Sequence, residues 1–154
     1  MDIIDQLEST KKQAQEFFDL APELLNLTYA DGKWTIRQLL HHIADAETVL
    51  YERIRRTISE QPSPVVWAFD QDAWCRHLEY DSLPLELNKN IFSAVRSAVI
   101  HFAHLYYNRL GSNPFIHSES GLRTLKDEMD KVAWHSKHHL DQITQALATG
   151  VRGV

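Results

Sequence analysis

Two histidines four residues apart, His135 and His139, lie in the stretch Val132-Ala-Trp-His-Ser-Lys-His-His-Leu-Asp-Gln-Ile143. On a helix that spacing stacks both imidazoles on one face, one turn apart. Neutral imidazole nitrogens are good ligands for zinc, nickel and similar divalent ions. A pair alone makes no site, so a third ligand has to come from elsewhere in the chain. His42 has the helical phase for it, because it lies beside Leu39, Ala46 and Val49 of an apolar stripe. Its neighbour His41 falls with Asp45, Thr48 and Glu52, on a face expected to meet water. Three imidazoles with an open coordination position describe a catalytic-type centre. The competing reading is three core histidines paired with backbone or carboxylate groups.

Other metal arrangements fit less well. A closed structural zinc site needs four ligands, usually including cysteine, and the chain has one cysteine, Cys75. It contains neither the Glu-x-x-His tetrad of di-iron bundles nor a His-Glu-x-x-His motif. His101 and His104 sit near Ser97 and Asn108, on a flank expected at the surface, and His117 falls in a loop. Cys75 and His77 are two residues apart and do not face each other on a helix, so Cys75 reads as a packed thiol. Trp67, Phe69 and Trp74 read as packing at the bundle end, with Asp70 as a helix cap or a partner to a site histidine.

The elements that must position these groups are long helices. Helix one covers residues 2–19, with Ile3, Ile4, Leu7, Ala14, Phe17 and Phe18 at mostly helical spacing. Helix two starts at a capping box, Thr35 with Gln38, flanked by a Trp34–Leu39 staple, and its stripe runs on to Ile58. Glu47 falls among Ile43, Leu50 and Ile54, so it is expected to be partly buried and to want a partner. Residues 61–83 form a long, aromatic connection with room for a short helix over Asp70–Leu78. Helix three follows Pro84 with the stripe Leu87, Ile91, Val95, Ala98, Phe102 and Leu105, and Gly111-Ser-Asn-Pro114 ends it. Helix four begins at Thr124, carries Leu125, Met129, Val132, Leu140 and Ile143, and stops at Gly150. The expected fold is therefore all-α, a four-helix bundle in a single domain over 1–154, with a long crossover between helices two and three.

The 154 residues suit one core, with 44% hydrophobic and 24% charged residues. A net charge of −5 without a basic stripe disfavours nucleic acid as a partner. The first residues show no signal-peptide pattern, and no apolar run approaches the ~18 residues of a membrane span. With a single cysteine, a cytoplasmic location is expected, and no membrane partner.

Three segments together resemble the DinB-like superfamily of metalloenzymes, closest to its YfiT, bacillithiol transferase-like branch. They are Trp34-Thr-Ile-Arg-Gln-Leu-Leu-His-His-Ile-Ala-Asp45, Phe69-Asp-x-x-Ala-Trp74, and Val132-Ala-Trp-His-Ser-x-His-His-Leu140. The resemblance spans about Gly32 to Ile143. It implies a four-helix bundle and a divalent ion, zinc or nickel, on His42, His135 and His139. It also implies a small-molecule substrate, with S-transfer from a low-molecular-weight thiol such as bacillithiol, or metal-dependent hydrolysis. Asp70, and in second place Glu47, would orient the thiol or relay its proton. A non-catalytic metal-binding stress-response bundle is the third reading, and a homodimer through an exposed aromatic such as Trp134 is a further expectation. The chain departs from the branch pattern with Glu47 and Lys137 where that pattern has histidines.

Overall fold

The computed structural model describes residues 1–152. Four long helices carry it: α1 (Ile3–Phe18), α2 (Ile36–Ser59), α4 (Leu85–Tyr106) and α5 (Leu125–Thr149), with a short α3 (Gln71–His77) inside the crossover. Their ends form where the sequence places them. Thr35 and Gln38 bond reciprocally, as do Thr124 and Asp127, so both helices that supply histidines start from complete capping boxes. Gly150 closes α5 in the left-handed conformation, φ 64°.

α2 packs against α4 and α5, and α1 packs against the same two helices. The consecutive helices α1 and α2 thus lie across a diagonal, and the 60–84 crossover is what lets the chain pass from α2 to α4. Two apolar clusters fill the interior. One centres on Ile36, Leu40, Ile43, Phe92 and Leu140; the other on Leu7, Ile54, Val99, Met129 and Val132. Between them runs a belt of buried polar groups, one or more from each long helix: Thr10, Glu47, Arg96 and Ser136.

That belt explains where the apolar stripe of α4 departs from expectation. Leu87 and Ile91 were expected inward, yet they are 54% and 41% exposed, and Leu105 is also exposed. The buried face is Asn88, Phe92, Arg96, Val99, Ile100 and Ala103. α4 is apolar on more than one side, so its hydrophobic pattern alone does not fix its rotation. Arg96 does: it reaches both oxygens of Glu47 (2.5 and 2.9 Å), the Leu7 carbonyl (3.0 Å) and the Thr10 hydroxyl (2.7 Å). A buried carboxylate and a buried guanidinium each need the other.

His41 also departs from expectation. It is fully buried rather than wet, because the crossover covers that face of α2. Its Nε2 meets the Leu83 carbonyl at 3.1 Å, and its ring lies 5.2 Å from Tyr80. The Tyr80 hydroxyl donates to Asp45 (2.5 Å), and the Asn88 amide donates to the same carboxylate. Burial pushes the His41 imidazole down to about 4 from its ordinary 6.5. The unfolded chain therefore takes up this proton first, so stability present above pH 6.5 is lost as the pH falls toward 4. Replacing His41 by Gln, which can still donate to Leu83, should flatten that acid limb, as read from urea midpoints between pH 7 and 4.

Short strands complete the fold. β1 (Leu27–Thr28) pairs antiparallel with β5 (Val151–Arg152). β2 (Val65–Val66) pairs in parallel with β3 (Pro114–His117), which pairs antiparallel with β4 (Gly121–Thr124). The register Val66↔His117 carries His117, expected in a loop, onto a strand beside the crossover. Trp67, expected to pack, is instead 74% exposed, whereas Phe69 and Trp74 are half-buried with ring centroids 4.7 Å apart.

Candidate metal centre

Because α2 and α5 are packed neighbours, His42 from the first meets His135 and His139 from the second. One ring nitrogen from each lies within 4.8 Å of the others, an arrangement that can hold a metal ion. The Nε2 atoms of His42 and His135 are 2.9 Å apart. Ring centroids are 4.9 Å for His42–His135, 4.7 Å for His42–His139 and 4.5 Å for His135–His139. A tetrahedral zinc with bonds of ~2.1 Å holds its ligand nitrogens roughly 3.4 Å apart. That spacing falls between the closest pair here and the outer limit, so the donor set fits such an ion.

The electrostatics agree with that fit. Burial lowers the His42 imidazole to about 3 and that of His135 to about 2, and it lowers His139 as well. All three rings are neutral near pH 7 and keep a lone pair, the state a metal needs. His42 is 1% exposed, and its Nδ1 has no hydrogen-bond partner among the described residues. His139 is oriented from behind: its Nδ1–H donates to the Gln142 amide oxygen at 2.7 Å, which leaves Nε2 free. Gln142 also meets His138 Nε2 at 3.3 Å. Replacing Gln142 by Leu should weaken zinc binding about 10–100-fold while leaving the fold intact, as read by competition with a chromogenic chelator.

Aromatic side chains wall the triad. Trp34 meets the His42 ring edge-on at 5.0 Å, and Phe69 stacks over it at 6.3 Å. Two clefts border the triad. One of about 180 Å³ touches His42, His135, Phe69 and Arg53. Another, of about 380 Å³, touches His139, His138, Trp34, Asp72 and Gln142. Gln71, the first residue of α3, lines both.

The other candidate residues are distributed as follows. Asp70 is exposed and caps α3, its Oδ1 accepting from the Ala73 N–H at 2.9 Å, between the cleft-lining neighbours Phe69 and Gln71. Glu47 is buried with both oxygens on Arg96. Cys75 is half-buried, and burial pushes its thiol up, away from reactivity. His101 and His104 are exposed, as expected. Trp134 is also exposed and stacks on His138 at 5.3 Å. Sequence reasoning missed Gln142, Gln71, Arg53, Lys131 and His117 at the clefts. Gln142 was legible in principle, since it lies three residues after His139 and so one turn away on the same face.

The chain belongs to the DinB superfamily, which it matches over residues 6–143. Two proteins of Oceanobacillus iheyensis, both carrying names that propose a metal-dependent hydrolase, are similar to it. One is 31% identical over 146 residues, covering 94% of this chain and 83% of that protein. The other is 32% identical over 126 residues, covering 82% and 72%. The solved structure of YfiT from Bacillus subtilis superposes with a TM-score of 0.85 at 22% identity, covering 97% of this chain and 86% of that one. Its description proposes a metal-dependent hydrolase with an unusual four-helix bundle topology.

Proposed function

We propose that His42, His135 and His139 hold one divalent ion, zinc or nickel, and that the protein is a metal-dependent enzyme acting on a small molecule. The observation that carries this is the convergence of three neutral ring nitrogens, with one cleft reaching His42 and His135 and another reaching His139. A divalent ion held there would favour loss of the proton of a thiol or water bound beside the histidines. The chain's own residues do the rest. Gln142 fixes the His139 ring, Trp34 and Phe69 exclude water from one side, and Gln71 reaches both clefts.

The leading reading is S-transfer, in which a low-molecular-weight thiol occupies one cleft and a small electrophile the other. Two clefts at one centre favour two reactants. In this reading Asp70, which caps α3 between the cleft-lining Phe69 and Gln71, orients the thiol or takes its proton, while Asp72 and Glu119 are the carboxylates that line the clefts themselves. Glu47, with both oxygens on Arg96, acts in this reading through the fold. The relatives' names favour hydrolysis as the second reading. A cytoplasmic location and a homodimer through Trp134 belong to the same proposal. No helix among the described residues is long and apolar enough to cross a membrane.

Metal-loaded protein incubated with an electrophile plus bacillithiol, glutathione or coenzyme A tests the choice. Joint loss of thiol and electrophile that requires His139 supports transfer. Turnover with the thiol omitted selects the hydrolase. Absence of both, with metal bound, overturns the enzyme reading and leaves a metal-binding bundle.

A further inference from the structure

The smaller cleft beside the triad carries a charge pattern that the metal does not explain. His42, Ala46, Leu50 and Arg53 line it from α2, at positions 42, 46, 50 and 53, which share one helical face. Lys131 and His135 line it from α5, one turn apart. Arg53 is only 3% exposed. Its Nη1 donates to Glu128 at 3.3 Å and its Nη2 to the Trp67 carbonyl at 2.6 Å, but its Nε has no partner among the described residues. Buried donors are seldom left without an acceptor. Lys131 makes no ion pair among the described residues, although it is held one turn from a site histidine.

The surrounding field has the same sign. At His117, on the cleft wall, Arg53, Lys131 and Arg123 act together against the single carboxylate Glu119. Glu128 pairs with Arg53 from behind, and Lys131 and Glu119 are both exposed, so water screens each of them. The least screened feature of the cleft is the buried, incompletely used guanidinium fork of Arg53, the group best shaped for a planar oxyanion, and Lys131 lines the same cleft.

We infer that this cleft takes the oxyanion end, a carboxylate or a phosphate, of the small molecule that reacts at the triad, with Arg53 and Lys131 as its anchors. The inference rests on the metal-site reading for its functional meaning, but the binding itself does not require the metal. An anchored anion would sit within one helical turn of His135, since Lys131 and His135 are stacked on α5, and the rest of the molecule could then reach the triad.

The test compares succinate and inorganic phosphate with neutral succinamide. Binding is followed by intrinsic tryptophan fluorescence on the protein as purified and after chelation. The expected result is at least a roughly tenfold preference for one of the anions over succinamide, the scale of one charge-assisted hydrogen bond. Which anion binds separates carboxylate from phosphate substrates. The preference should fall about tenfold in Lys131→Gln, or in Arg53→Met combined with Glu128→Gln, which removes both buried charges together and keeps the interior neutral. Equal affinity for the anions and succinamide in the wild type overturns the inference, as does a preference that survives in both variants. Zinc content is read on the same samples. Zinc-free wild type that takes up none sinks the metal reading, whereas the anion preference after chelation stands or falls separately.

Discussion

His42→Ala should take up no zinc or nickel where the wild type binds one ion per chain. The loss should exceed the roughly 10–100-fold penalty of removing an outer partner such as Gln142, because His42 is the one member of the histidine cluster on α2 and its removal leaves only the one-turn pair on α5. A second readout separates lost binding from lost folding. His42 is a desolvated ring whose Nδ1 has no hydrogen-bond partner among the described residues, so truncating it removes a buried polar group along with its packing. The metal-free variant should therefore stay folded. An ion that binds only the folded state stabilises it by about 2.7 kcal/mol at a hundred times its dissociation constant. Zinc should thus raise the melting temperature of the wild type and leave that of His42→Ala unmoved. A zinc-dependent rise that persists in His42→Ala would mean that the ion sits elsewhere. His135→Ala and His139→Ala should behave alike, since each removes one of three converging nitrogens.

The convergence of His42, His135 and His139 was legible in the sequence from helical phase, and the family resemblance pointed to the same three residues. The four-residue spacing put His135 and His139 on one face, and the stripe Leu39, Ala46, Val49 put His42 on the core side of its own helix. Capping boxes fixed where α2 and α5 begin, which is why their phases could be trusted. Where the reading failed, polar groups rather than apolar ones set the rotation. Asn88 and Arg96 look like surface residues, and only a partner on another helix makes them buried. His41 fails for a related reason: the cover that buries it, Tyr80 and Leu83, comes from a crossover about 40 residues later in the chain. The two- to four-residue strands were not visible, since period-two alternation needs more residues than they contain. Arg53 and Lys131 were passed over because single basic residues on a helix are ordinary surface features. Their meaning depends on the cleft that α2, α5 and the crossover make together.

The polar belt that misled the reading of α4 gives the largest expected effect on stability. Glu47→Ala leaves the Arg96 guanidinium, itself fully buried, without a counter-charge, and should destabilise the protein by about 3–5 kcal/mol. The remaining contacts to Leu7, Thr10 and Ser136 are neutral acceptors and do not replace a carboxylate. Removing both charges at once, with Glu47→Leu and Arg96→Met, should recover most of that loss, because apolar pairs of similar volume often match a buried ion pair. The double variant then isolates what the belt does beyond stability. Arg96 bridges Glu47 of α2 to Ser136 of α5, the residue next to His135, and so ties the two helices at the level where His42 must meet His135 and His139. Without that tie, apolar packing alone sets how α2 lies against α5, and the ring nitrogens lose their shared centre. Urea unfolding should therefore show the double variant close to wild type, while its zinc affinity falls at least about tenfold, as expected for support lost one step away from the ligands. If the single and double variants are equally unstable, the belt acts through shape rather than charge. If the stable double variant binds zinc like the wild type, apolar packing alone holds the three histidines together.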